Sequence, residues 1–241
     1  GVRGSIASPG PRTAKYGGNT ACVEIRAGGR LIVVDAGTGI RELGVQLLKD
    51  AAGKPIEGDL FIGHTHWDHI QGFPFFTPLY LPTTKFAVHG VHGTVRSFGE
   101  VMSGQMASAY FPVQMQDMAS RPNFVELREA VMIGDVKVKY HYLNHPGITI
   151  GFRFDHAGKS VAYISDHEPY AKLNALGDFS HKEDLAISKF VEGADLLICE
   201  AQYTAAEYRI KKGWGHSTFE DVLDLAKKSG CSPKDFRCTL L

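Results

Sequence analysis

Long hydrophobic runs are missing from this sequence of 241 residues. The most apolar stretch, residues 73–81, is interrupted by Pro74 and Pro78, whereas a helix that crosses a membrane needs roughly 18 or more apolar residues in a row. The sequence therefore predicts a protein without membrane spans.

Cysteine is scarce and scattered. The four cysteines, Cys22, Cys199, Cys231 and Cys238, contain no CxxC pair, so neither a disulfide framework nor a cysteine-based zinc knuckle is indicated. This usage favours a reducing compartment, and we expect a cytoplasmic protein.

An excess of one charge sign is also missing. The 26 Lys and Arg residues balance the 26 Asp and Glu residues, so the formal net charge is zero. Proteins that bind long nucleic acids concentrate Lys and Arg on one surface, and the balance therefore argues against a long nucleic-acid partner. A small or short anionic substrate remains compatible with it. The composition leaves the oligomeric state open, a homodimer included.

Strand and helix patterns alternate along the chain. One helix is predicted where Ile40, Leu43 and Leu47 share a face, and another is predicted to begin at Ser217 through a capping box over residues 217–220. Strands are predicted at residues 21–27, 31–35, 59–62, 85–89, 136–142, 149–154, 160–164 and 195–199. This order predicts one mixed α/β domain over residues 1–241.

Other segments give weaker signals. Residues 102–118 are rich in Met and have weak periodicity, which is compatible with a lid. His141 shares the polar face of its strand with Lys137 and Lys139, so we expect it to be exposed. The chain starts at Gly1, and residues 238–241 resemble the start of a buried strand. We therefore expect one or both ends to be cut from a longer chain.

The densest group of metal-binding side chains follows the short strand at residues 59–62. His64 and His66 are two residues apart and project to one side of a strand end, and Asp68 and His69 lie on the turn that follows. Imidazole nitrogen and carboxylate oxygen are ligands that zinc and similar divalent ions prefer. A polar loop with a chance surplus of histidine is the alternative, and the spacing favours a metal site.

This cluster resembles the HxHxDH motif of the metallo-β-lactamase superfamily. The segments Asp-Ala-Gly at 35–37, Asn-His-Pro-Gly at 144–147 and Ser-Asp-His at 165–167 fit further motifs of that family in order and spacing. Residues 194–201 and 215–218 are similar to segments of its ribonuclease Z-like phosphodiesterase branch. The resemblance covers most of the chain and implies an α/β fold, an αββα sandwich of mixed sheets flanked by helices.

The resemblance also implies a binuclear metal site. By position, His64, His66 and His145 would hold one ion, Asp68 and His69 would hold the second, and Asp166 would bridge them. Zinc is the expected metal, and manganese or iron is the alternative because His and Asp ligands accept all three. The family pattern needs one more histidine after His216, and none follows it here. Truncation, disorder and a true loss of the second site are the three interpretations.

His216 and Glu200 join Asp68 as the predicted catalytic residues. His216 would protonate the leaving oxygen or contact a phosphate oxygen, and Glu200, at a strand end, would orient it. Each residue also has a simpler interpretation. His216 would then be a polar residue next to a helix cap, and Glu200 would be a carboxylate in a surface ion pair.

Two ions that share a hydroxide are suited to hydrolysis of a phosphodiester. We therefore predict a metal-dependent phosphodiesterase that acts on a small or short substrate, such as a cyclic nucleotide. Ribonuclease Z-like RNA 3′ processing is the nearest alternative, and it is less favoured because residues 166–195 are too few for the long arm of that branch. A non-phosphoester hydrolase and a catalytically inactive binding member are the remaining alternatives.

Overall fold

The computed structural model describes residues 1–174, 177–231 and 236–239, the last four through their backbone only. The chain divides into two units, Gly1–Arg128 and Glu129–Leu241, and each contains one sheet. The two units are described separately below.

The first unit is built on a five-stranded sheet with the order β1-β2-β3-β4-β5. Its strands are β1 (Val23–Ala27), β2 (Arg30–Val34), β3 (Glu57–Phe61), β4 (Lys85–Gly90) and β5 (Asn123–Glu126). Its helices are α1 (Gly39–Ala51), α2 (Trp67–Ile70) and α3 (Phe98–Gly104), with short 3₁₀ turns at Phe73–Phe75, Thr77–Tyr80 and Met115–Asp117. Strands β1 and β2 are antiparallel and the other pairs are parallel, so the sheet is mixed.

Local sequence explains how this sheet starts and what covers it. Gly28 and Gly29 join β1 to β2 with positive φ angles of 54° and 70°, which favour glycine in a two-residue hairpin. Helix α1 buries Ile40 and Leu47, as its apolar spacing predicts. Phe61, Phe73 and Phe76 are fully buried in the same unit.

The methionine-rich segment at residues 102–118 differs from the sequence expectation. Met102, Met106 and Met118 are at most 1% exposed and belong to the core of the first unit. Helix α3 ends inside this segment, and its N-terminus carries a complete capping box between Ser97 and Glu100. The prediction of a lid is wrong for these methionines, because their flexible side chains fill the core.

The second unit is built on a six-stranded sheet with the order β11-β10-β9-β8-β7-β6. Its strands are β6 (Val131–Ile133), β7 (Val136–Tyr142), β8 (Ile150–His156), β9 (Lys159–Ile164), β10 (Leu196–Glu200) and β11 (Phe236–Thr239). Its helices are α4 (Tyr170–Leu173), α5 (Asp178–Phe190), α6 (Ala205–Tyr208) and α7 (Phe219–Lys228). Strands β9, β10 and β11 are parallel and the remaining pairs are antiparallel, so this sheet is mixed as well.

Two local predictions in the second unit need correction. Helix α7 is capped by Thr218, whose side chain accepts from the Asp221 amide, and not by Ser217. His141 is half-buried, not exposed, because its ring stacks on Phe190 with 5.4 Å between the ring centroids. Burial lowers the pKa of His141 below its ordinary value.

The element order agrees with the predicted mixed α/β class. Cys238 and Thr239 belong to β11, in agreement with the strand predicted from residue 238 onward. Residues 240–241 lie outside the described residues. Among the described helices, none combines the length and apolar character that a membrane crossing requires. A single domain over residues 1–241 stays a prediction.

Candidate metal centre

Four of the predicted site residues converge in the first unit, directly after β3. His64 and His66 lie on the extended segment that leaves the strand, and Asp68 and His69 lie on the single turn of α2. The ring of His64 is 4.1 Å from that of His69 and 4.6 Å from that of His66, measured between centroids. His64, Asp68 and His69 are all buried. The cluster predicted from the spacing is therefore present as a group.

Asp35, at the end of β2, orients His69. It is fully buried and has a positive φ of 60°, which is uncommon for a residue other than glycine. Its Oδ1 accepts from the Gly63 amide at 2.8 Å, and its Oδ2 lies 2.8 Å from His69 Nδ1. A carboxylate can only accept, so the proton of this hydrogen bond is on Nδ1. His69 Nε2 lies 3.6 Å from Asp68 Oδ2.

The other predicted site residues converge in the second unit. His145 follows β7, Asp166 follows β9 and Glu200 ends β10. His145 Nδ1 lies 2.7 Å from the Gly215 carbonyl oxygen, which can only accept, so the proton is again on Nδ1. His145 Nε2 lies 3.8 Å from Asp166 Oδ2. His145 therefore has its proton on Nδ1, as His69 does.

Glu200 and His216, two of the predicted catalytic residues, lie close to each other. His216 Nδ1 lies 3.8 Å from Glu200 Oε2 and 3.9 Å from Asp166 Oδ2, which are ion-pair distances longer than a hydrogen bond. Glu200 is only 2% exposed, so its interpretation as a surface carboxylate is wrong. It accepts from the backbone amides of Ser217 at 2.6 Å and Gln202 at 3.0 Å. Burial raises the pKa of Glu200, and the neighbouring His216 acts in the opposite direction.

Glu168 is a residue of this site that sequence reasoning missed. Its carboxylate is fully buried and accepts from the Tyr208 hydroxyl and from the amides of Gly213 at 2.9 Å and Gly215 at 2.8 Å. Burial and the Glu168 carboxylate raise the pKa of Tyr208. Glu168 therefore holds the segment that leads into His216. No local pattern in the sequence indicates this role, because the partners of Glu168 are 40 to 47 residues away.

Gly215 has no room for a side chain. Its φ is 84°, and a Cβ at this position would lie 2.2 Å from His145 Nδ1.

Glu168 also makes two hydrogen bonds to Asn144 through its backbone. The Asn144 side-chain amide donates to the Glu168 carbonyl oxygen, at 2.7 Å, and Glu168 N–H donates to the Asn144 carbonyl, at 2.8 Å. Glu168 is thus connected both to the segment with His145 and to the segment with His216.

His167 is a buried neutral imidazole in the same network. Burial lowers its pKa to about 3, and its Nδ1 accepts from the Asn144 amide at 3.1 Å. Its backbone N–H donates to Glu200 at 3.3 Å, and its carbonyl accepts from the Ser217 hydroxyl at 2.7 Å. These contacts connect His167 to Asn144, Glu200 and Ser217, so it has a structural role next to Asp166.

The donor set of both clusters fits a divalent metal ion. Metal-binding histidines usually donate their second ring N–H to a carboxylate or a carbonyl, which fixes the ring and the tautomer. His69 does this with Asp35, and His145 does it with Gly215. Within each unit, the ligand atoms of the pairs His64 with His66, Asp68 with His69, and His145 with Asp166 lie within 4.8 Å.

The sequence matches a known protein family and several curated proteins. Residues 30–234 match the family described as the Beta-lactamase superfamily domain. Ribonuclease Z of Mycobacterium sp. strain KMS is 28% identical over 241 residues, which cover 92% of this chain and 78% of that protein. Ribonuclease Z of Lactococcus lactis subsp. lactis strain IL1403 is 26% identical over 211 residues, which cover 71% of this chain and 67% of that protein.

Solved structures share the fold. Unliganded yeast PDE1 has a TM-score of 0.65 at 13% identity, with 98% of this chain and 85% of that chain covered. The short form of human tRNase Z has a TM-score of 0.59 at 20% identity, with 92% and 85% covered. Two mixed sheets flanked by helices, as in these metallo-β-lactamase-type folds, confirm the predicted fold class.

Proposed function

The chain belongs to the beta-lactamase superfamily and is a hydrolase, and we propose that it is a metal-dependent phosphodiesterase of the ribonuclease Z-like branch. The proposed substrate is a small or short phosphodiester, such as a cyclic nucleotide. The observation that carries the proposal is the shared arrangement of His69 and His145, each of which donates Nδ1–H to a fixed acceptor, as histidines that bind a metal through Nε2 usually do.

The proposed ligand set follows the family pattern. By that pattern His64, His66 and His145 would hold one ion, Asp68 and His69 would hold the second, and Asp166 would bridge the two. The burial of His64, Asp68, His69 and Asp166 supports this assignment, because crowded imidazole and carboxylate groups are costly to bury without a counter-charge. Zinc is the expected metal, with manganese or iron as alternatives.

Bound divalent ions would supply a nucleophile from water and neutralise charge on the phosphoryl oxygens. The residues of the chain would orient the metal ligands and protonate the leaving group. Asp35 and the Gly215 carbonyl fix the rings of His69 and His145, and Glu200 holds the segment that starts at Ser217. His216 is the proposed general acid toward the leaving oxygen, with the Glu200 carboxylate at 3.8 Å to favour its protonated form.

Ribonuclease Z-like RNA 3′ processing is the second candidate. It is supported by the names of the Mycobacterium and Lactococcus relatives. The zero net charge of the chain and the short segment between Asp166 and Asp195 argue for a shorter substrate. The cytoplasmic location and a homodimer stay predictions of the sequence.

The test combines metal analysis with a hydrolysis screen. The purified chain is loaded with zinc, manganese or iron and offered bis(p-nitrophenyl) phosphate, cyclic nucleotides and a transfer RNA precursor with a 3′ trailer. We expect hydrolysis that depends on the metal, and a loss of metal and turnover in His66→Ala. His92→Ala is the matched control, because His92 is exposed and lies outside the proposed site. Normal metal content and turnover in His66→Ala would overturn the proposal.

A further inference from the structure

The second unit contains a cavity of about 620 Å³, and the residues that line it, between Ile164 and Lys228, all belong to that unit. Helices α5 and α7 form two of its walls, and the ends of β9 and β10 contribute further lining residues. Pockets that hold small organic molecules usually measure roughly 300–1,000 Å³. The cavity is therefore large enough for a ligand of that kind.

Most of the cavity surface is apolar. Five aliphatic side chains from β9, α5 and α7 contribute to it: Ile164, Leu185, Ile187, Val222 and Leu225. Leu185 is 44% exposed, so it lies at the rim, whereas Ile164 and Ile187 are each only 2% exposed. Such walls favour an apolar ligand, because the ligand surface that they cover is removed from water.

Six Lys, Asp and Glu side chains also line the cavity, and each already has a partner. Two ion pairs at 2.6 Å account for four of them: Lys172 with Asp221, and Lys228 with Asp224. The other two accept backbone N–H groups: Asp184 and Glu200. His181 is part of the lining as well, but it is exposed, so solvent screens any charge on it. A charged ligand would have to replace one of these partners, and the cavity therefore favours a neutral ligand.

His167 adds a hydrogen-bond donor to the lining. It is only 6% exposed, and its Nδ1 accepts from the Asn144 amide at 3.1 Å, so the ring proton is on Nε2. Asn144 does not line the cavity, and the opposite edge of the ring, with Nε2–H, therefore faces it. None of the residues that the structure describes accepts from this N–H. A buried donor without an acceptor is costly, and a ligand with an acceptor would remove that cost.

We propose that this cavity binds a neutral, mainly apolar small molecule that accepts a hydrogen bond from His167 Nε2–H through a carbonyl oxygen. The aliphatic walls cover the body of the molecule, and the carbonyl group fixes its orientation. The cavity shares Glu200 with the proposed catalytic residues, but none of the proposed metal ligands among the described residues lines it. A phosphodiester is anionic and is not the expected occupant, so this site is additional to the substrate site of the proposed function.

The test uses Prodan, a fluorescent naphthalene with one propionyl and one dimethylamino group. Prodan is neutral, has one carbonyl oxygen, and emits at a shorter wavelength in an apolar environment. It is titrated into the zinc-loaded chain and excited directly. We expect saturable binding of one molecule per chain with a blue-shifted emission. The anionic naphthalene probe TNS should bind about 10-fold more weakly or worse, because its sulfonate has no free cation to pair with.

Leu185→Trp should weaken the binding of Prodan about 10-fold, because the larger ring narrows the cavity at its rim. Leu185 is already partly exposed, so the variant is expected to fold. Ile210→Trp is the matched control, since Ile210 is 83% exposed in the same unit and does not line the cavity. It should bind Prodan as the wild type does.

The hydrogen bond is tested by infrared spectroscopy of Prodan with a ¹³C-labelled carbonyl group. In the wild type the carbonyl stretch of bound Prodan should lie at a lower frequency than in a hydrocarbon solvent, as it does in a hydrogen-bonded ketone. His167→Phe keeps a ring and removes the donor, so it should abolish this shift and weaken binding about 5-fold, the usual worth of one hydrogen bond.

Five outcomes would overturn the proposal. They are no saturable binding of Prodan by the wild type, equal affinities of Leu185→Trp and the wild type, an equal loss in Ile210→Trp, binding of TNS as tight as that of Prodan, and a carbonyl stretch at the hydrocarbon frequency. The carbonyl stretch and the Leu185 variant decide the question even if His167→Phe does not fold.

Discussion

At the scale of single residues, two histidines use the same arrangement with different acceptors. His69 donates Nδ1–H to the Asp35 carboxylate, and His145 donates it to the Gly215 carbonyl. A carboxylate makes the opposite ring nitrogen more basic than a neutral carbonyl does, and such partners tune metal affinity. Asp35 should therefore matter for metal binding although it is not a proposed ligand.

We expect Asp35→Asn to lower zinc affinity by about 10-fold to 100-fold, the usual effect of losing such a partner. Asp35 accepts two hydrogen bonds, from Gly63 N–H and His69 Nδ1–H, and an amide has only one oxygen to accept them. Affinity is measured by competition with a zinc chelator. Asp50→Asn, at an exposed position of α1, is the control. Equal affinities of Asp35→Asn and the wild type would show that the ring is fixed in another way.

His216 leads to a prediction about leaving groups. Its ring lies 5.2 Å from the His145 ring, measured between centroids. If His216 protonates the leaving oxygen, His216→Ala should keep its metal and lose roughly 100-fold in turnover on alkyl phosphodiesters. The loss should be much smaller on bis(p-nitrophenyl) phosphate, since p-nitrophenolate departs without a proton. Equal losses on both substrates would instead assign His216 to phosphate binding.

At the scale of elements, the segment between α6 and α7 depends on one buried carboxylate. Glu168 accepts from Tyr208, Gly213 and Gly215. In Glu168→Gln an NH2 group replaces one carboxylate oxygen, so a donor faces other donors. An unsatisfied buried group costs about 1–3 kcal/mol. We expect faster amide exchange at Gly213 and Gly215, measured by hydrogen exchange, and a lower free energy of unfolding.

Glu192→Gln is the control for the Glu168 variant, because Glu192 is exposed in the same unit. It should leave exchange at Gly213 and Gly215 unchanged. If Glu168→Gln also leaves those amides protected, the carboxylate does not hold the segment.

The contact between β7 and α5 gives a prediction for pH dependence. Burial lowers the pKa of His141 in the folded chain, so the unfolded chain binds its proton more tightly. Stability from this group is therefore complete at high pH and decreases as the pH falls below about 6.5, the pKa of an unperturbed histidine. His141→Phe keeps a ring against Phe190 and removes the titration. The difference between the urea midpoints of the variant and the wild type should grow as the pH falls. A constant difference would contradict this.

The elements that follow a periodic pattern could be predicted from the sequence, and those set by tertiary contacts could not. The alternation in β7 and the apolar face of α1 identify both elements. The start of α7 is ambiguous, since Ser217 and Thr218 are both good caps with an acid three residues later. Glu200 and His167 decide between them, because they engage the Ser217 amide and hydroxyl.

In the candidate site, too, local patterns could be predicted from the sequence and tertiary contacts could not. The residues of the HxHxDH cluster are close in sequence, so their spacing alone predicts a group. Glu168 is a buried acid without periodicity, and its partners Tyr208 and Gly215 are about 40 residues away or more. Such a partnership depends on the fold of the second unit, which no local pattern specifies.

At the scale of the whole molecule, the family match runs from residue 30 to residue 234 and so includes proposed ligands from both units. A ligand that binds only the folded chain raises its stability by RT ln(1 + [L]/Kd), which is about 2.7 kcal/mol at a concentration 100 times the Kd. For a chain of this size that corresponds to a rise in Tm of roughly 5–10 °C.

We expect zinc to raise the Tm of the wild type and of the exposed-site control His92→Ala by this amount, measured by calorimetry. His66→Ala in the first unit and His145→Ala in the second should each lose the part of the rise that the first ion contributes, because both residues are proposed ligands of that ion. Each variant is compared with its own metal-free Tm, so that any loss of intrinsic stability cancels. A full rise in His145→Ala together with a reduced rise in His66→Ala would remove His145 from the ligand set.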